Sequence, residues 1–267
     1  IEKGVAPMQG IHETLNAIQD SANWKQARAH ILSEKPEYLL RAVPSSEKRV
    51  LPESDGKEWL KSNGFNVPEG KIVSAQQLGE AAIAVGYPVA LKMISPRLAH
   101  KTEAGAVVLN LKDEGSLSLA AAKMKRDVTA YDARAVSELF LVEEMSPKPL
   151  AELIINIRQD PQFGAALVLG SGGILVELLA DSTTLLLPTR PVEIIHALKS
   201  LRVGRLLEGF RGRPAADIAK VAAEIYKLSI TYQENIKTIA EIEINPLFVY
   251  RAEVSAIDVL IQVPNEK

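Results

Sequence analysis

Glu241-Ile242-Glu243-Ile244-Asn245-Pro246, answered thirteen residues beyond Asn245 by Asp258 within Ala256-Ile257-Asp258-Val259, is the stretch on which the fold turns. Side chains alternate along a strand, so Glu241, Glu243 and Asn245 share one face while Ile242 and Ile244 share the other. If the next apolar run, Val254 to Leu260, returns as a hairpin, Asp258 stands beside Asn245. An amide oxygen and a carboxylate then converge, which is the donor set of a hard cation that keeps several waters and bridges phosphates; Mg2+ suits it and zinc does not. An edge strand with a solvated acidic face gives the same alternation. Against that, a carboxylate among Ile257, Val259, Leu260 and Ile261 is seldom buried without a partner or a metal.

Upstream, β-branched runs bounded by turn residues predict further strands in local antiparallel pairs. Ile154 to Ile157 and Ala165 to Leu169 are joined by Arg158-Gln159-Asp160-Pro161-Gln162-Phe163-Gly164, whose Asp-Pro and Gly mark a tight reversal. Gly170-Ser171-Gly172-Gly173 precedes another apolar run, Ile174 to Leu179. Pro191 opens a helix ending before Gly204, and Pro214 opens one running to about Tyr232. Nearer the N-terminus, helices are expected from Ser54 to Gly64, from a Ser74/Gln77 capping box to a left-handed C-cap at Gly86, and from Leu117 to Tyr131. Strands are expected at Lys71 to Val73, Val89 to Ile94, Ala106 to Leu111 and Leu139 to Glu143. The class is α/β (α+β). A helical pattern from Ile11 to Leu40 is set apart by Arg41 to Arg49, a charged, proline-broken stretch read as a linker.

Lys92 interrupts the apolar run Val89-Ala90-Leu91-Lys92-Met93-Ile94, where a lysine either snorkels to an edge or reaches a bound anion. The loop after it carries Arg97, His100, Lys101 and Gly105 and connects two strands. Such a flap can close over phosphates with backbone N–H groups and cations, although it lacks the Walker spacing. His100 suits a phosphoryl acceptor, a general base or a surface role. His12, His30 and His196 have no partners at metal-ligand spacing. Val142-Glu143-Glu144-Met145, ending a strand ahead of Pro147, has the place of a hinge between two lobes.

The chain has 267 residues, 47% of them hydrophobic, with 31 Lys and Arg against 33 Asp and Glu. A net charge of -2 leaves no bulk attraction for nucleic acid or an anionic membrane, so phosphate binding must come from a local site. The absence of cysteine excludes disulfides, thiolate nucleophiles and Cys-ligated metal centres, and fits a cytoplasmic protein. No apolar run reaches the roughly 20 residues that span a bilayer. The chain starts at Ile1 rather than Met, which is expected of a fragment or processed product.

Five stretches taken in order resemble the ATP-grasp domain of the nucleoside-diphosphate-forming acyl-CoA synthetases, relatives of the succinyl-CoA synthetase β subunit. They are Gly86-Tyr87-Pro88-Val89-Ala90-Leu91-Lys92, His100-Lys101-Thr102-Glu103-Ala104-Gly105, Asp160 to Gly164, Gly170-Ser171-Gly172-Gly173-Ile174 with Glu177, and Glu243-Ile244-Asn245-Pro246-Leu247. The resemblance covers about Leu51 to Val263. In the flap, Thr102, Glu103 and Ala106 stand where the family usually has serine, aspartate and a second glycine.

The resemblance implies a two-lobed ATP-grasp domain over 50–264, with lobes of about 66–142 and 143–264. Residues 1–49 would be the tail of a preceding CoA-ligase domain plus linker. Lys92 would contact the ATP phosphates, Val142, Glu143, Glu144 and Met145 would form the adenine hinge, and Glu152 would bind the ribose. Asn245 and Asp258 would hold Mg2+, Lys101 and Gly105 would belong to the flap, and His100 would be the phosphoryl carrier. Family members interconvert acid, CoA and ATP with acyl-CoA, ADP and phosphate through phosphohistidine. That implies ATP/ADP, Mg2+ and CoA as ligands of the complete enzyme, and CoA-binding and ligase domains upstream in the same chain or as a separate subunit. Nucleic acid and membrane are not expected partners; a homo-oligomer stays open. The alternative is a non-catalytic ATP-grasp module that senses nucleotide while fused to another enzyme such as an acetyltransferase.

Overall fold

The computed structural model describes residues 10–33, 47–95, 97–98, 101–173 and 181–265. The chain divides into two compact units, Ile1–Leu39 and Leu40–Lys267. In the first, helix α1 spans Ile11–Ser33; the remainder of the helix expected up to Leu40 lies outside the described residues. No described helix is long and apolar enough to cross a membrane.

The second unit holds two sheets. The smaller has strands β2 (Gly70–Ser74), β3 (Val89–Met93), β4 (Val107–Leu111) and β5 (Leu139–Glu144) in the order β2-β5-β3-β4, every neighbour antiparallel. Helices α3 (Leu78–Val85) and α4 (Glu114–Tyr131) are the helices of this lobe, and their Leu78, Ala82, Leu117 and Met124 form one core with Leu91, Met93, Phe140 and Val142 of the sheet. Period-two alternation then leaves Lys92 and Glu143 on the opposite face, because Lys92 pairs across with Leu141 and Ala90 with Glu143. The Ser74/Gln77 capping box forms as expected, opening a short 3-10 turn ahead of α3. Gly86 closes α3 with φ +97, but its ψ of 124 lies beyond the left-handed helical well, so it turns the chain outward into β3 rather than capping in αL.

The larger sheet runs β1 (Lys48–Val50), β11 (Val259–Pro264), β9 (Glu241–Val249), β6 (Ala151–Asp160), β7 (Gly164–Ser171), β8 (Ser182–Leu186), with β10 (Val254–Ala256) also on β9. Helices α5 (Pro191–Ser200), α6 (Gly204–Leu207) and α7 (Ile218–Glu234) cover it, and Leu60 of α2 (Glu53–Ser62) joins the same core, together with Ile155, Leu167, Ile225, Tyr232 and Ile242. This lobe therefore draws on residues from both sides of the smaller one. The first and last strands are neighbours: Lys48 is opposite Pro264, and Asn265 N–H donates to Glu47 O at 2.7 Å.

Several expectations change in detail. Lys48-Arg49-Val50, overlapping the end of the stretch read as linker, is a strand. The helix assigned to Pro214 starts at Ile218, because the Asp217 carboxylate accepts Lys220 N–H at 3.2 Å and caps it, while Ala216 N–H is drawn to Leu207 O at 2.8 Å. Strand β8 was not expected. The run Ile174 to Leu179 lies outside the described residues. Asp160 closes the β6–β7 reversal by accepting the N–H groups of Gln162 and Phe163 at 2.8 and 2.9 Å.

The run Val254 to Leu260 is two strands, interrupted at Ile257-Asp258, opposite Asn245-Pro246. Ile257 N–H donates to Pro246 O at 3.1 Å, but Pro246 has no N–H to return. The carbonyl of Ile257 is left open, and Lys92 Nζ donates to it at 3.3 Å.

Candidate functional site

Six charged side chains meet between the two sheets: Glu53 and Lys57 from the start of α2, Lys92 from β3, Glu143 from β5, Lys101 from the flap and Asp258 from the strand interruption. Lys92 Nζ lies 2.6 Å from Glu53 Oε1 and 3.0 Å from Glu143 Oε2. Lys57 bonds Glu143 and stands 3.1 Å from Glu53 Oε1. Lys101 bonds Glu53 Oε2 and stands 3.6 Å from Asp258 Oδ1. Three acids thus face three ammonium groups. The Glu53, Lys57, Lys92 and Glu143 side chains are 3–7% exposed, whereas Asp258 keeps 37%, so the cluster is sealed behind and open at the aspartate.

The electrostatics follow from that packing. Burial pushes the Glu53 carboxyl up, but Lys92, Lys57 and Lys101 together hold it well below the usual carboxylate range. Burial works against the Lys92 ammonium, and Glu53, Glu143 and Asp258 reverse it, leaving its pKa raised. Lys57 goes the other way: burial and the neighbouring Lys92 charge lower it, outweighing Glu143 and Glu53. Asp258 is raised by desolvation in the crevice and by Glu53, against the pull of Lys92 and Lys101.

Asn245 is joined to this cluster through the backbone, its N–H donating to Asp258 O at 3.1 Å. Its side-chain oxygen accepts Gly173 N–H at 3.1 Å, and Gly172 N–H donates to Glu152 O at 2.8 Å. The glycines are required here: a Cβ on Gly172 would sit 2.5 Å from the Leu153 carbonyl carbon and oxygen, and Gly173 has φ +69 with Glu152 Oε2 at 2.2 Å from such an atom. The glycine loop is therefore laid directly on β6. Asp181 holds its end, accepting Ser171 Oγ–H at 2.6 Å and the N–H groups of Arg202 and Val203 at 2.8 and 3.0 Å.

Of the residues singled out from sequence, Lys92, Lys101, Glu143 and Asp258 come together, and Glu152 and Asn245 gather around the glycine loop. Asp258 and Asn245 present a carboxylate and an amide oxygen from paired backbone, the only two metal ligands expected; no group of three His, Asp or Glu among the described residues could hold a metal. Glu241 and Glu243 are tied instead to Asn156 Nδ2, at 2.8 and 3.0 Å. In the stretch read as hinge, Val142 is sealed in the smaller core and Glu143 joins the ionic cluster. Glu144 N–H donates to Glu69 O at 2.9 Å and Met145 N–H to Pro88 O at 3.2 Å. Gly105, with φ +67, lies against Asp127 of α4, its missing Cβ 2.9 Å from the Asp127 Cβ, and Ala106 is buried in the core. His100 lies outside the described residues.

Glu53, Lys57 and Asp181 were not anticipated. A signal existed for the first two: Glu53, Gly56, Lys57 and Leu60 have the i, i+3, i+4, i+7 spacing of a buried helical stripe, with two charges inside it. An i,i+4 acid–base pair is ordinarily read as a solvated face.

Residues 42–263 match the ATP-grasp domain family. The chain is 34% identical over 218 residues to the beta subunit of ADP-forming acetate–CoA ligase II from Pyrococcus furiosus, covering 80% of this chain and 90% of that subunit. It is 31% identical over 248 residues to the ADP-forming 4-hydroxybutyrate–CoA ligase of Nitrosopumilus maritimus, covering 90% of this chain but 35% of that longer protein. A solved structure of the Korarchaeum cryptofilum acetyl-coenzyme A synthetase 1, in complex with coenzyme A and Ca-AMPCP, superposes with a TM-score of 0.75 at 30% identity, covering 81% of this chain and 94% of that one. The chain belongs to the ATP-grasp domain family, in the branch that includes the beta subunits of the ADP-forming acyl-CoA ligases.

Proposed function

We propose that the chain is the ATP-binding, phosphoryl-transferring part of an ADP-forming acyl-CoA synthetase, completed by CoA-binding and ligase domains in the same protein or a separate subunit. The observation that carries this reading is the contact of Lys92 Nζ from one lobe with the Ile257 carbonyl of the other, next to Asp258 in the chain and close to a glycine loop pinned to Asn245. Phosphoryl transfer asks for cations on the non-bridging oxygens and for in-line placement more than for covalent activation. Lys101 supplies an ammonium group beside Asp258 at the open end of the cluster, and Lys92 one from its buried part. Asn245 and Asp258 offer hard oxygen donors, and the Lys101 ammonium 3.6 Å from Asp258 Oδ1 supports reading the position as one for positive charge. Mg2+ held there would neutralise charge on the bridged phosphate oxygens.

In this reading a neutral ring nitrogen of His100 takes the γ-phosphoryl group of ATP: the N–P bond forms, the bond to the β-phosphate oxygen breaks, and ADP leaves. Val142 to Met145 would border the adenine and Glu152 the ribose. Incubation with γ-labelled ATP and Mg2+ is expected to give an acid-labile, base-stable phosphoenzyme. His100→Ala should abolish it, and Lys92→Met should slow labelling about 100-fold or more. Labelling that persists in His100→Ala refutes the assigned carrier.

A further inference from the structure

Lys101 is a cation with two carboxylates. Its ammonium bonds Glu53 and stands 3.6 Å from Asp258 Oδ1, while its backbone carbonyl accepts Ala106 N–H at 2.8 Å. The main chain is thereby tied down beside β4, and the side chain reaches the acids on its flexible four-carbon stem. Glu53 does not depend on it alone, since Lys92 and Lys57 lie 2.6 and 3.1 Å from its other oxygen. Asp258, by contrast, has Lys101 as the ammonium nearest its carboxylate among the described ion pairs, on the side open to solvent.

We propose that Lys101 is the resident counter-ion of Asp258, exchanged for a divalent cation when nucleotide is taken up and transferred to the anionic phosphate oxygens. The inference rests on the reading of Asp258 and Asn245 as metal ligands. An ammonium and a divalent ion cannot share one edge of a carboxylate without strong repulsion, so metal uptake displaces Lys101 from Asp258. The triphosphate brought in with the metal provides new anionic partners within reach of the freed side chain. Lys101 therefore opposes the bare metal and favours the metal with its nucleotide, which makes the site selective for the complex over either component.

The opposed signs give the test. Binding of Mn2+ alone, followed by the loss of its free-ion spin resonance signal, is expected to be about tenfold tighter in Lys101→Met than in the unaltered chain. Binding of a non-hydrolysable ATP analogue in the presence of Mn2+ is expected to be about tenfold weaker in the same variant. Lys101→Arg, which keeps the charge, should follow the unaltered chain in both. Unchanged or weaker Mn2+ binding in Lys101→Met, with Asp258→Asn still reducing it, overturns the exchange while leaving the metal site standing. Mn2+ binding that Asp258→Asn does not reduce removes the metal site itself, and the exchange with it.

Discussion

Replacing Glu53 by glutamine removes one acid from the buried part of a group of three acids and three lysines, leaving Glu143 and Asp258 against Lys57, Lys92 and Lys101. Breaking a buried ion pair on one side costs about 3–5 kcal/mol when the surviving charge stays uncompensated. The structure names the group that relieves it. Lys57 already has its pKa lowered by burial and by Lys92, so in the variant it is the ammonium that gives up its proton on folding. The unfolded chain keeps that proton up to its ordinary value of about 10.4, so it binds one proton more than the folded chain. Stability of Glu53→Gln should then rise with pH between the lowered folded value of Lys57 and its ordinary one, by at most about 1.4 kcal/mol per unit. Urea unfolding of both proteins at pH 7, 8 and 9 measures this as a gap that narrows with pH. The double variant Glu53→Gln/Lys57→Met should show a gap that no longer depends on pH. A Glu53→Gln deficit that is constant or widens as pH rises refutes the assignment of Lys57 as the proton donor.

The glycine loop makes a separate prediction. Gly172→Ala sets a methyl 2.5 Å from the Leu153 carbonyl, and backbone there cannot step aside, so a loss of about 1–3 kcal/mol is expected in urea unfolding, with weaker ATP-analogue binding by calorimetry. Equal nucleotide affinity would detach the loop from the site. Asp181 is lowered: burial raises it, and the Ser171 hydroxyl and the Arg202 and Val203 N–H groups more than reverse that. Its contribution is present above about pH 4 and lost as pH falls toward its depressed folded value. Asp181→Asn should therefore cost about 2 kcal/mol at neutral pH, and the difference from the unaltered protein should shrink below pH 4 in thermal melts.

What the sequence disclosed and what it withheld divide along physical lines. Strands buried on both faces announce themselves by composition, as at Val89–Met93 and Gly164–Ser171. The Asn245/Asp258 pairing was legible because a lone acid in an apolar run and a returning hairpin supported it where alternation alone left an edge strand equally open. β1 and β8 were missed because they lie at the sheet margins, where backbone pairing rather than side-chain pattern fixes the strand; Lys48, Arg49 and Val50 are all exposed. Lys92 was legible as a charge out of place, but its partners Glu53 and Lys57 were hidden by the helical spacing that usually marks a solvated ion pair. Only tertiary packing, through Leu60 and through Gly56, where an added Cβ would meet Val259 Cγ1 at 3.0 Å, turns that face inward. Within the stretch Val142 to Met145, the Glu143 side chain, one residue from the fully buried Val142, belongs to the opposite face of the sheet, which composition alone does not disclose.

The pairing of Lys48–Val50 with the last strand, closed by the Glu47–Asn265 hydrogen bond, means that chain enters and leaves this domain at one doorway. A unit with adjoining ends can be spliced into a larger polypeptide, or released from it, without stretching a connector across its surface. The same geometry favours circular permutation: a short tether across the doorway and a new opening at the exposed Phe163 turn would reorder the chain while every strand kept its neighbours.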